Sequence, residues 1–170
     1  MGILNFVKPD KIVLQKATDF EAQFEFRPLE PGYGVTIGNA LRRVLLNSLE
    51  GYAIVGINLT GADHEFATIK GVTEDVTEMI LNLKQVRFKP KVDHDVSSEK
   101  ITLNLKNKTE FTAGMIAEVS PAFQVMNPEL LICTLDNSAK LDIEITIGKG
   151  RGYVPAEEHK EKNSHFGYIP

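Results

Sequence analysis

The stretch Tyr33–Glu50, YGVTIGNALRRVLLNSLE, limits what this chain can fold into more than any other part of it. It opens in a PGYG turn, where Gly32 and Gly34 can take backbone angles that other residues avoid. Beyond the turn, Ile37, Leu41, Val44 and Leu45 recur at helical spacing, and Leu49 continues the stripe one turn later. Thr36 as N-cap and Gly51 as the stopping residue predict a helix over 36–49. Arg42 and Arg43 sit side by side at its centre, so at least one of them borders the apolar stripe. Such a pair is either a solvated surface feature or part of a docking face.

The segment before the helix is expected to pack on it. Residues 11–17 and 20–27 read as a β-hairpin around Thr18-Asp19. In the second arm Phe20, Ala22, Phe24 and Phe26 alternate with Glu21, Gln23 and Glu25, giving one apolar and one wet face. The phenylalanines form a platform for the helix. A hairpin and one helix are nevertheless too little for an independent domain. Later chain, another subunit, or both must complete the cover.

From residue 51 onward the pattern changes to an antiparallel-rich α+β unit, placed at 51–170. Strands are expected at 53–60, 86–92, 101–106 and 141–147. The last of these, LDIEITI, alternates strictly between aliphatic and polar residues. A helix over 72–84 puts Val72, Val76, Met79, Ile80 and Leu83 on one face, with Glu74, Asp75, Glu78 and Asn82 away from it. The polar segment from Gly148 reads as a loop with a short helical piece after Pro155, and FGYIP as the start of a strand. The chain thus reads as α+β in two units, 1–50 and 51–170.

Composition removes several function classes. The formal net charge is −4, against the basic face that a nucleic-acid binder uses. The single Cys133 rules out an internal disulfide framework and fits a reducing cytoplasm. No apolar run approaches the roughly 18 residues of a membrane span, and no signal-peptide pattern opens the sequence.

Catalytic and cofactor chemistry finds no footing. PGYGVTIGN lacks the Lys-Ser/Thr of a P-loop and the βαβ context of a dinucleotide fingerprint. His64, His94, His159 and His165 are scattered, without helical pairing or a Cys companion. Cys133 has no activating neighbour in sequence and reads as a small apolar core residue. Lys149 and Arg151 in GKGRG could touch phosphate, although a turn leaving a sheet is the simpler reading. No catalytic residue, metal ligand or cofactor is assigned.

Three ordered stretches carry a family resemblance: GNALRRVLLNSLEG at 38–51, HEFATIKGVTEDVTEMILNLK at 64–84 and GRGYVPAEEH at 150–159. With FVKPDKI and PLEPGYGVT, they resemble the bacterial RNA polymerase alpha subunits over nearly the whole sequence. The resemblance implies a non-catalytic scaffold of a nucleotidyltransferase complex. It would dimerise through a first domain and dock the beta and beta-prime subunits, with 51–170 as an inserted domain facing those subunits. By position, Phe6, Tyr33, Ile37, Leu41 and Val44 fall in the dimerisation segment. Asn39, Arg42, Arg43, Leu45 and Leu46 match the assembly helix, and Glu78 and Lys84 the second-domain helix turned to the large subunits. In that family the chain continues past the IP with a strand, a long helix, a linker and a DNA-binding domain. The sequence therefore reads as a fragment, with no direct nucleic-acid contact expected of it. Two competing classes are a nucleic-acid module using Arg42, Arg43 and the Lys149–Arg151 loop, and a small enzyme with a deep pocket.

Overall fold

The computed structural model describes residues 5–18, 21–91, 96–136, 139–160 and 167–170. The chain divides into two compact units, Met1–Leu49 and Glu50–Pro170, so Glu50 belongs to the second unit.

In the first unit, β1 (Lys11–Ala17) pairs antiparallel with β2 (Ala22–Arg27), from Lys11↔Arg27 to Ala17↔Ala22, with a register shift between Leu14 and Lys16. The turn between them is tied by the Thr18 N–H donating to the Glu21 carbonyl at 2.7 Å. Asp19 and Phe20, part of the expected hairpin turn and platform, lie outside the described residues. The helix α1 runs Tyr33–Asn47, three residues earlier than Thr36 suggests. Its entry is set by Gly32 in the left-handed region (φ 88°), which needs no side-chain cap. It closes with the Ser48 N–H on the Val44 carbonyl, so the helix ends well before Gly51.

The expected packing of α1 on the phenylalanine face is not what the chain does. No residue of α1 is buried, and Phe24 is 63% exposed. Alternation and helical spacing show which residues can be buried; they do not supply a cover. No described residue of 5–49 is buried.

The second unit holds the core. Its main sheet contains β3 (Glu50–Leu59), β5 (Ser98–Lys106), β9 (Lys140–Arg151) and β10 (Tyr168–Ile169), ordered β10-β3-β9-β5, antiparallel throughout. Gly51 lies within β3, opposite Gly150, so it continues a strand rather than stopping a helix. Likewise 148–151 are the end of β9 and not a loop. Leu141, Ile143, Ile145 and Ile147 are fully buried, joined from neighbouring strands by Ile57, Leu59, Ile101, Leu103 and Leu105. Each such side chain contributes about 1.5–3 kcal/mol of transfer free energy, a term the first unit almost entirely lacks.

Two short ladders complete the unit. The strand β4 (Phe88–Pro90) pairs with β7 (Phe123–Val125), and β6 (Glu110–Thr112) pairs with β8 (Leu131–Thr134). The helix α2 spans Val76–Leu83, shorter than 72–84, because the Asp75 side chain caps it by accepting from the Glu78 N–H at 2.7 Å. It buries Val76, Met79 and Leu83, while α3 (Ala113–Val119), not anticipated from the sequence, buries Ala113 and Ile116. A final short helix, α4, covers Ala156–His159.

Candidate docking surfaces

The helix α1 presents two sets of side chains. At about 100° per residue, Tyr33, Ile37, Leu41, Val44 and Leu45 project to one side. Asn39, Arg42, Arg43 and Leu46, at steps of three, one and three, project to the other. Both sides are open: Leu41 is 56% exposed, Val44 48%, Leu45 64% and Leu46 59%. Leu45, grouped with the arginines by family position, shares the apolar side. Arg42 and Arg43 are also exposed.

At the head of the helix two of the expected dimerisation residues meet. The rings of Phe6 and Tyr33 lie edge to face, centroids 5.0 Å apart. The Val7 N–H donates to the Glu30 carboxylate at 3.1 Å, which ties the incoming segment to the turn before α1. Both rings remain largely open, Phe6 at 52%. The structure therefore gathers an aromatic pair and an apolar helix side into one uncovered surface.

In the second unit, Glu78 is exposed on α2, away from its buried face, and Lys84 is exposed at the helix's C-cap. Two apolar side chains stand out beside them, Leu81 and Phe66. Helical spacing puts Leu81 beside Glu78 on the polar side of α2, and an apolar residue there is the signal available in the sequence. Phe66 sits in a loop where no period applies.

The charged end of the main sheet is differently disposed. Glu50 pairs with Lys149 (Nζ to Oε2, 2.8 Å) and with Arg151, whose Nε donates at 3.2 Å. Hydrogen bonds from Arg151 and Lys149, then their charges, lower the Glu50 carboxyl from 4.5 to about 2. Both cations of the GKGRG segment are thus engaged with a carboxylate across β3 and β9, which leaves less charge there for a phosphate.

Among the described residues, one cleft gathers titratable side chains with apolar ones. A cleft of about 190 Å³ beside β3 and α2 is lined by Ile54, Val55, Ile57, Ile80 and Leu83, with Lys84, Tyr153 and His159 as its titratable groups. Glu50 and Cys133 do not line it. Among the described residues no group of three or more His, Cys, Asp or Glu is placed to hold a metal. His94 and His165 lie outside the described residues. No helix among the described residues is long and apolar enough to cross a membrane.

Comparison with known proteins agrees with the sequence motifs. The chain is 61% identical over 170 residues to the DNA-directed RNA polymerase subunit alpha of Cytophaga hutchinsonii, covering all of this chain and 51% of that protein. It is 57% identical over 169 residues to the protein of that name from Flavobacterium psychrophilum (99% and 51% covered), and 54% over 170 residues to that of Bacteroides thetaiotaomicron (100% and 51%). The chain spans about half the length of the curated relatives it matches. Residues 55–170 match the model of the RNA polymerase Rpb3/RpoA insert domain, and the chain belongs to that family.

Proposed function

We propose that this chain is the assembly scaffold of a cytoplasmic DNA-dependent RNA polymerase, joining two alpha copies and docking the beta and beta-prime subunits while catalysing nothing itself. The observation that carries this reading is α1, a helix of regular amphipathic pattern with none of its residues buried. A helix of that kind gains its stability from tertiary or subunit packing, not from propensity. In this reading Phe6, Tyr33, Ile37, Leu41 and Val44 meet a second copy, so the first unit is the dimerisation unit. Asn39, Arg42, Arg43 and Leu46, with Leu45 at the seam, face a large subunit, where planar guanidinium groups suit carboxylates and carbonyls. Glu78 and Lys84 give the second unit its own contact with the large subunits.

The test is co-expression of the chain with beta and beta-prime, followed by affinity purification. Co-purification is expected, and Arg43→Ala should weaken it while leaving the chain's thermal midpoint nearly unchanged. Surface substitutions usually alter stability by less than about 0.5 kcal/mol. Absence of any large subunit in the purified fraction would overturn the assembly role.

A further inference from the structure

We propose that the cleft beside β3 and α2 binds a small ligand, a short aliphatic carboxylate. Its alkyl tail would lie on the cleft floor and its carboxylate beside Lys84. Such a site goes beyond the assembly role and does not depend on it.

Stretches distant in sequence build the cleft. The strand β3 supplies Ile54, Val55 and Ile57, and α2 supplies Ile80 and Leu83. Pairing of β10 with β3 at Asn58 and Ile57 adds Ile169. The chain leaves β9 through Gly152, at φ 59°, and brings Tyr153, Val154, Ala156 and His159 to the same cleft. The stretch GRGYVPAEEH, to which the assembly role gives no task, thus has one here. Leu83, Ile57 and Ile169 are buried, whereas Tyr153 is 85% exposed. The floor is packed and the rim is open.

The rim fixes the sign of the ligand. Lys84 and His159 line the cleft, and no Asp or Glu among the described residues does. The carbonyls at the end of α2 have other partners. Those of Ile80, Asn82 and Leu83 accept the N–H groups of Lys84, Gln85 and Val86 at 2.9, 3.0 and 3.1 Å. The Lys84 carbonyl accepts from the Arg87 guanidinium at 3.1 Å, a cation that also opposes the partial negative charge of the helix end. The Lys84 ammonium is therefore available to an anion. An exposed pair of this kind contributes little by itself, so the apolar floor must supply most of the affinity and the charge the orientation. At about 190 Å³ the cleft is smaller than the roughly 300–1,000 Å³ of drug-sized sites, which restricts the ligand to a short chain.

The experiment follows binding of sodium octanoate to the isotope-labelled chain by NMR, with octanol and octylammonium as probes of equal tail. Octanoate at millimolar concentration should shift amides within 54–57, 80–84 and 153–159, and should bind more tightly than octylammonium. Lys84→Met keeps an apolar stem without the charge; it should weaken octanoate about threefold and leave octanol unchanged. Val154→Asp, at the open rim, should abolish octanoate binding with the thermal midpoint unchanged. Absence of shifts would overturn the site, as would equal affinity for the three probes, parent-like octanoate affinity in Lys84→Met, or retained binding in Val154→Asp. Shifts confined to α1 would mean that the tail seeks the exposed apolar side of that helix, and would overturn the site as well. Co-purification with the large subunits tests assembly separately, so either reading can fail without the other.

Discussion

The ring of Tyr168 lies against the bare backbone of Gly56, in the space that a Cβ at Gly56 would occupy. This close approach seats β10 on the edge of β3, where Tyr168 pairs with Asn58 and Ile169 with Ile57. Only glycine leaves room for it. Gly56→Ala should therefore lower unfolding stability by about 1–3 kcal/mol, the usual cost of forcing extra volume into a packed site. In a Tyr168→Ala background the same change should cost clearly less, since the two residues act on one contact. Equal costs in both backgrounds, measured by urea unfolding, would show that the ring is not what Gly56 accommodates.

The clamp on Glu50 makes a pH prediction. Its carboxyl is held at about 2 in the folded chain, against an ordinary 4.5. A group whose folded pKa is depressed stabilises fully above its unfolded value, and that contribution disappears as pH falls through the folded one. The contribution of Glu50 is thus present above about pH 4.5 and is lost between there and about pH 2. Because the pair is exposed, with Glu50 and Arg151 side chains 43% and 62% accessible, salt should weaken the effect. A carboxyl titration by NMR should place Glu50 near 2 at low salt, and Arg151→Ala should move it upward. A midpoint at the ordinary value would mean that the clamp does not form in solution.

Cys133 is fully buried on β8. Burial, and secondarily the charge of Glu74, push its thiol from 9.0 up to about 12. Glu74 is itself fixed by the Thr134 N–H at 2.6 Å and the Thr134 hydroxyl at 3.0 Å. Two outcomes are expected. Alkylation in mildly alkaline solution should proceed only as fast as the chain opens, because the thiolate is the reactive form. Stability should also decline as pH rises from about 9 towards 12, where the unfolded chain has released a proton that the folded chain retains. Rapid labelling of the native chain would show that the thiol is accessible and contradict both.

How much of this could be read from the sequence depended on whether the cover came from nearby pattern or from distant chain. The alternation of LDIEITI gave β9 its buried Leu141, Ile143, Ile145 and Ile147, because a period of two permits one core face only. The capped end of α2 was obscured because Val72 continues the helical spacing, whereas Asp75 claims the cap and Val72 instead bridges Leu135. Gly51 misled because glycine after a helical run resembles a stop, although here it pairs with Gly150 in a ladder. The short α3 carries too few turns for periodicity to register. The candidate surface on α1 was legible in its residues, and its exposure was not, since spacing marks an apolar side without saying what lies against it.

The exposure of α1 has a measurable consequence for its leucines. A buried leucine truncated to alanine typically costs about 2–5 kcal/mol, because burial is lost and a cavity remains. Leu41 and Leu45 are 56% and 64% exposed, so neither substitution leaves a cavity in the chain as it stands. Leu41→Ala and Leu45→Ala should each change unfolding stability by less than about 0.5 kcal/mol, since alanine also favours the helix slightly. The same substitutions should act strongly on association, because an apolar helix side open to water drives contact with another surface. Light scattering on the parent chain should report self-association that falls in Leu45→Ala and falls further in Leu45→Glu. A loss of several kcal/mol in Leu41→Ala, with association unchanged, would place α1 in an intramolecular core and remove the reason for reading it as a docking helix.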